Sequence, residues 1–99
     1  MNYSKKAEGS RMEIVLEGKL DAVSSPKFEA EVSEELDGIN EILIDMSGVE
    51  YISSAGLRAL LYLQQTLDEV DGKVKVCKIP EAVEKVFAIT GFNEIVTVI

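Results

Sequence analysis

Two adjacent serines, Ser53 and Ser54, stand where an apolar stretch ends and a helical pattern begins. The run Asp45-Met46-Ser47-Gly48-Val49-Glu50-Tyr51-Ile52-Ser53-Ser54-Ala55-Gly56-Leu57 leaves a strand, crosses a short loop and enters a helix. A hydroxyl placed there meets free backbone N–H groups and the positive end of the helix dipole, which favour negative charge. Such a serine can cap the helix, attack an electrophile or accept a phosphate.

Nucleophilic chemistry has little support. The chain contains no histidine, which excludes a Ser-His-Asp triad, a His-based zinc site and a histidine phosphoacceptor. The Gly-x-Ser-x-Gly elbow is missing, because Ile52 stands two residues before Ser54. Lys73 or Asp45 would serve as base only through fortuitous placement. The single cysteine, Cys77, can form neither an internal disulfide nor a cysteine cluster, and its strand-like context suits a small packing residue. No enzymatic activity, metal or cofactor is expected. A nucleotide or small-ligand sensor would have only the bare helix N-terminus to work with, since no Gly-rich phosphate loop is present.

Capping and phosphorylation are compatible with each other. One serine suffices for a cap, worth about 1 kcal/mol, and leaves the second free to react. A phosphate would add roughly −1.5 to −2 charge at a helix end that tolerates it. The domain itself would stay folded. The penalty would fall on a partner packed over that end, where like-charge contact costs several kcal/mol and each ~1.4 kcal/mol is tenfold in affinity.

The elements that must hold these serines follow from periodicity. Met12, Ile14 and Leu16 alternate with charged residues as in a half-buried strand, and the turn Glu8-Gly9-Ser10 pairs it with residues 2–7 as a hairpin. Gly18-Lys19-Leu20-Asp21 ends that strand. Ser25-Pro26 opens a helix, with Ser25 as cap, carrying Phe28, Val32 and Leu36 and closed by Gly38. Residues 39–46 form an apolar strand of the kind covered on both faces. The serine helix buries a stripe of Leu57, Leu60, Leu63, Leu67 and Val70. A strand over residues 73–79, a helix opened by Pro80 and stopped by Thr90-Gly91, and a last strand over 94–99 complete the chain. The expected fold is α/β: a mixed, mostly parallel sheet of four to five strands with three or more helices, in a single domain spanning residues 1–99.

Ten basic residues against 18 acidic ones give a net charge of −8, which argues against nucleic acid and is compatible with a basic protein surface as partner. No apolar run reaches the roughly 20 residues of a membrane helix, and no apolar signal core follows Met1. The expectation is a cytoplasmic, soluble protein with no membrane insertion.

The motif over residues 45–57 resembles the signature of STAS domains, specifically those of bacterial anti-sigma factor antagonists. Gly18-Lys19-Leu20-Asp21, Gly91-Phe92 and the element order agree, so the likeness covers essentially the whole chain. The resemblance implies a partner switch. The unmodified antagonist binds an anti-sigma factor that is also a serine kinase, frees the sigma factor, is phosphorylated and released, and is reset by a serine phosphatase. It implies Ser54 as the phosphoacceptor, Asp21 as a loop residue of the binding surface and Asp45 as a structural position. Many members carry aspartate where this chain has Ser53, which makes Ser53 a competing acceptor. A STAS domain working without phosphorylation, as an accessory subunit of a lipid or anion transporter, is the alternative.

The helix also offers a candidate surface. Ala55, Arg58, Ala59 and Tyr62 lie away from the leucine stripe, with the small residues allowing close approach and Arg58 and Tyr62 as anchors. With Asp21, Ser53, Ser54 and Gly56 they make the expected partner-binding set.

Overall fold

A computed structural model describes residues 1–99. β1 (Asn2–Glu8) and β2 (Arg11–Leu20) form the expected hairpin, followed by α1 (Ser25–Ser33), β3 (Glu41–Ile52), α2 (Ser54–Asp68), β4 (Lys73–Cys77), α3 (Glu81–Thr90), a 3-10 turn (Phe92–Glu94) and β5 (Thr97–Val98). The sheet runs in the order β1-β2-β3-β4-β5. β1 pairs antiparallel with β2 and the other three pairs are parallel, the mixed and mostly parallel sheet expected.

From β2 onward each crossover advances the sheet in one direction, so right-handed connections place every helix on one face. Burial follows that rule. Met12, Ile14, Ile42, Ile44, Val74 and Val76, aligned across β2, β3 and β4, are buried under Phe28, Val32, Leu60, Leu63, Val83 and Phe87 of the helices. The opposite face carries no helix. There Arg11 and Lys75 both pair with Glu41, and Lys75 holds the Glu41 carboxyl below its ordinary range. The expectation that β3 is covered on both faces is therefore corrected. Leu43 and Cys77 lie half-buried on the open face.

β3 is longer than its periodicity suggested, and the expected loop after Met46 is strand. Asp45 pairs with Val15 and Gly48 with Glu17, then Val49 with Gly18 and Tyr51 with Lys19. Each shift puts one extra residue into β3, the two-against-one arrangement of a bulge. Its inward positions consequently run Met46, Val49, Ile52 in steps of three. That spacing hides a strand from a period-two reading.

Four further boundaries differ. Ser24, not Ser25, is the N-cap of α1, while Ser25 is helical and buried. α1 ends at Ser33 instead of continuing to Gly38, although Leu36 stays buried beyond it. Val70, expected on the apolar stripe, lies past the end of α2 and is exposed. The last strand shrinks to Thr97–Val98, because residues 92–94 tighten into the 3-10 turn. α3 does stop at Gly91, whose φ of 73° is the left-handed cap that glycine adopts at no steric cost.

One buried polar group locks α2 to the sheet. Gln64 accepts the Val74 N–H at 2.8 Å and donates to Asp68 at 2.8 Å and to the Gly72 carbonyl at 3.3 Å. The amide fixes the helix against the start of β4 and leaves no buried donor unpaired there.

Candidate functional site

The C-terminal end of β2 and the N-terminal end of α2 are joined through the backbone. The N–H of Ser53 donates to the Leu20 carbonyl at 3.0 Å. Three residues on, Gly56 packs so closely that a Cβ there would lie 2.5 Å from the same carbonyl oxygen and 2.8 Å from Ile52 Cγ1. Only glycine permits that approach. Gly56 is thus a docking point within this chain, buried against its own core, and the expectation that it offers surface to a partner is corrected.

The two serines divide their roles. Ser53 has extended backbone angles and is the N-cap, its Oγ accepting the Gly56 N–H at 3.4 Å and lying 3.5 Å from the Leu20 carbonyl as donor. Its hydroxyl is engaged on both sides. Ser54 is the first residue of α2 and is exposed, and its hydroxyl makes no hydrogen bond within the chain. A phosphate on Ser54 would project into solvent at the helix's positive end. One on Ser53 would have to break the cap.

Asp21 follows Leu20 directly and shapes the turn leading to α1. Its carboxylate accepts the backbone N–H groups of Val23 at 3.0 Å and Ser24 at 3.1 Å, and its own N–H donates to Ser24 Oγ at 3.1 Å. The Ser24 N–H is the main cause of a carboxyl held below the usual aspartate range. Asp21 therefore stays charged while ordering the loop beside the serine helix.

Asp45 lies within β3. Its carboxylate accepts the Ser47 N–H at 2.9 Å, the first cause of its lowered pKa, and sits 3.6 Å from Lys78 Nζ. It holds the first bulge in shape. Lys73 lies opposite Glu41 in the β3–β4 register, at the far end of the strand from Ser54. Neither residue is placed as a base for Ser54.

On α2 the residues of the expected partner-binding set differ in exposure. Arg58 and Tyr62 are exposed and Ala55 is half-buried. Ala59 is 1% exposed, belongs to the core and cannot meet a partner, because its position turns it beneath the helix with Leu60 and Leu63. The face that remains is Ser54, Ala55, Arg58 and Tyr62, spaced by three and four.

Sequence reasoning passed over Val23 and Tyr51. Val23, in the Asp21 turn, is 89% exposed, and Tyr51, two residues before the cap, is half-exposed. Each is a lone apolar side chain left in solvent, one in the Asp21 turn and one just before the α2 cap. The signal available was an isolated valine between turn-forming Asp21 and Ser24.

This arrangement recurs in known proteins. The model of the STAS domain matches residues 3–99. The chain belongs to the STAS domain family. BtrV of Bordetella bronchiseptica, assigned as an anti-sigma factor antagonist, is 35% identical over 81 residues, covering 81% of this chain and 70% of the relative. The anti-sigma-B factor antagonist of Staphylococcus aureus is 22% identical over 99 residues, covering 99% of this chain and 92% of the relative. The structure of the anti-sigma factor antagonist SpoIIAA in its unphosphorylated form superposes with a TM-score of 0.88 at 19% identity, covering 99% of this chain and 88% of that one. No helix of this STAS domain is long and apolar enough to cross a membrane.

Proposed function

We propose that this STAS domain is an anti-sigma factor antagonist that works as a phosphorylation-controlled partner switch. In the unmodified state the face formed by the Asp21 turn, Ser54, Ala55, Arg58 and Tyr62 binds an anti-sigma factor with serine kinase activity, and the sigma factor is released. The bound kinase transfers the γ-phosphoryl group of ATP to Ser54 Oγ. The bond from phosphorus to the ADP oxygen breaks, the Oγ–P bond forms, and the hydroxyl proton passes to a base of the kinase. A phosphatase later hydrolyses the ester with water and returns the serine and inorganic phosphate.

The observation that carries this reading is the division of labour between the two serines. Ser53 spends its hydroxyl on the cap, and Ser54 presents a free one at the helix end. The fold therefore accommodates the modification while a docked partner does not. The chain acts by binding, and the chemistry belongs to the kinase and phosphatase.

Incubation with ATP and an extract of the cells that make the protein, followed by mass mapping, tests the proposal. Phosphate is expected on Ser54, absent from Ser54→Ala and retained in Ser53→Ala. Phosphate confined to Ser53, or none on either serine, would overturn it.

A further inference from the structure

Arg58 is the only basic residue of α2, and it sits one turn from the helix's positive end. Like Lys6, Lys19, Lys27 and Lys73 it forms no ion pair, so its guanidinium is free to take one. The first turn of α2 holds no acidic residue to offset it. The charge of Arg58 therefore meets no carboxylate in the turn that precedes it.

Ser54 and Arg58 stand four residues apart on the exposed side of the helix. That spacing brings their Cβ atoms within about 5–6 Å, with the prospective anion N-terminal to the cation, the more favourable order. A guanidinium presents paired N–H donors that match two phosphate oxygens at once.

We infer that Arg58 closes onto the phosphate of modified Ser54 and is thereby withdrawn from the partner-binding face. This inference rests on Ser54 as the acceptor. It gives phosphorylation a second action besides added charge. In the unmodified chain the guanidinium is free to meet the carboxylates or carbonyls of a partner. In the modified chain it is occupied within its own helix. The off state is then built into α2 and needs no rearrangement of the fold.

The test places phosphoserine at position 54 by directed incorporation, so that no kinase is involved, and follows the phosphorus NMR shift with pH. The second ionisation of a free phosphoserine falls near pH ~6. In the Arg58→Gln variant it should rise by about half a unit relative to the parent phosphoprotein, with Arg58→Lys in between. Phosphorylation should also raise the melting temperature of the parent more than that of Arg58→Gln. An identical titration in parent and Arg58→Gln would overturn the inference. Failure of the partner-switch reading shows separately, as a phosphorylated chain that binds its partner like the unmodified one.

Discussion

The Ser53 N–H donates to the Leu20 carbonyl across 3.0 Å, and this bond sets where the serine helix begins. Leu20 ends β2 and Asp21 begins the next turn, so one peptide unit links the helix start to the ordered loop. The same carbonyl excludes any side chain at position 56. Cap, turn and helix are therefore positioned together, with Ser54 one residue beyond the bond on α2 and Asp21 one residue beyond it on the turn.

Gly56→Ala tests that junction. A helical alanine is intrinsically better than glycine by about 1 kcal/mol, but its Cβ would meet a backbone oxygen that cannot move aside. Overpacking costs about 1–3 kcal/mol, and a Cβ 2.5 Å from a backbone oxygen places this case at about 2–3, so urea denaturation should show a net loss of about 1–2 kcal/mol. A midpoint equal to or above that of the parent would show that α2 does not dock on Leu20 as described.

Ser25→Ala should act in the opposite direction. Ser25 is 2% exposed and its Oγ has no hydrogen-bond partner, because Ser24 took the capping position. Removing an unsatisfied buried hydroxyl relieves a penalty of about 1–3 kcal/mol, partly offset by the lost volume. Thermal or urea unfolding should report a gain of about 1 kcal/mol, and a clear loss would mean that the hydroxyl has a partner in solution.

Tyr3 of β1 should make the domain sensitive to alkali. Its ring packs edge-on against Phe28 at 5.2 Å and its hydroxyl donates to Glu31, fastening the hairpin to α1. Burial, and then the Glu31 carboxylate, push the phenol up to about 12 from 10.0. A raised folded pKa means that the native state binds more protons between these values, so its contribution is complete below pH ~10 and lost as pH rises through about 12. The stability difference between parent and Tyr3→Phe, read from urea midpoints, should shrink across that window. A difference that is constant or grows would contradict the assigned contact.

Tyr62→Ala separates binding from folding. Tyr62 is 44% exposed and lies on the Ser54 face of α2, so its removal should leave the unfolding midpoint within about 0.5 kcal/mol. As an aromatic anchor it should cost about 1–2 kcal/mol in partner affinity, roughly 5- to 30-fold, measured by calorimetry with the anti-sigma factor. Unchanged affinity would remove Tyr62 from the interface.

Most of the architecture could be read from periodicity, since Met12, Ile14 and Leu16 or Leu60, Leu63 and Leu67 each bury a face at the expected spacing. What escaped was set by tertiary contacts. The bulges of β3 shifted Val49 and Ile52 out of phase, so a continuous strand resembled a loop. Ala59 is small, and a small residue serves a partner surface and a tight helix-to-sheet contact equally well. The Leu20 contact that explains Gly56 joins residues 36 apart in the chain and leaves no local pattern. The serines themselves were legible as cap plus free hydroxyl, but which was which depended on that same long-range bond.

The most direct measurement is the affinity of the anti-sigma factor for two forms of the chain, unmodified and carrying phosphoserine at position 54. The unmodified form should bind, and the phosphorylated form should bind at least ~100-fold more weakly while keeping its fold by circular dichroism. Equal affinity of the two folded forms would contradict a switch at Ser54.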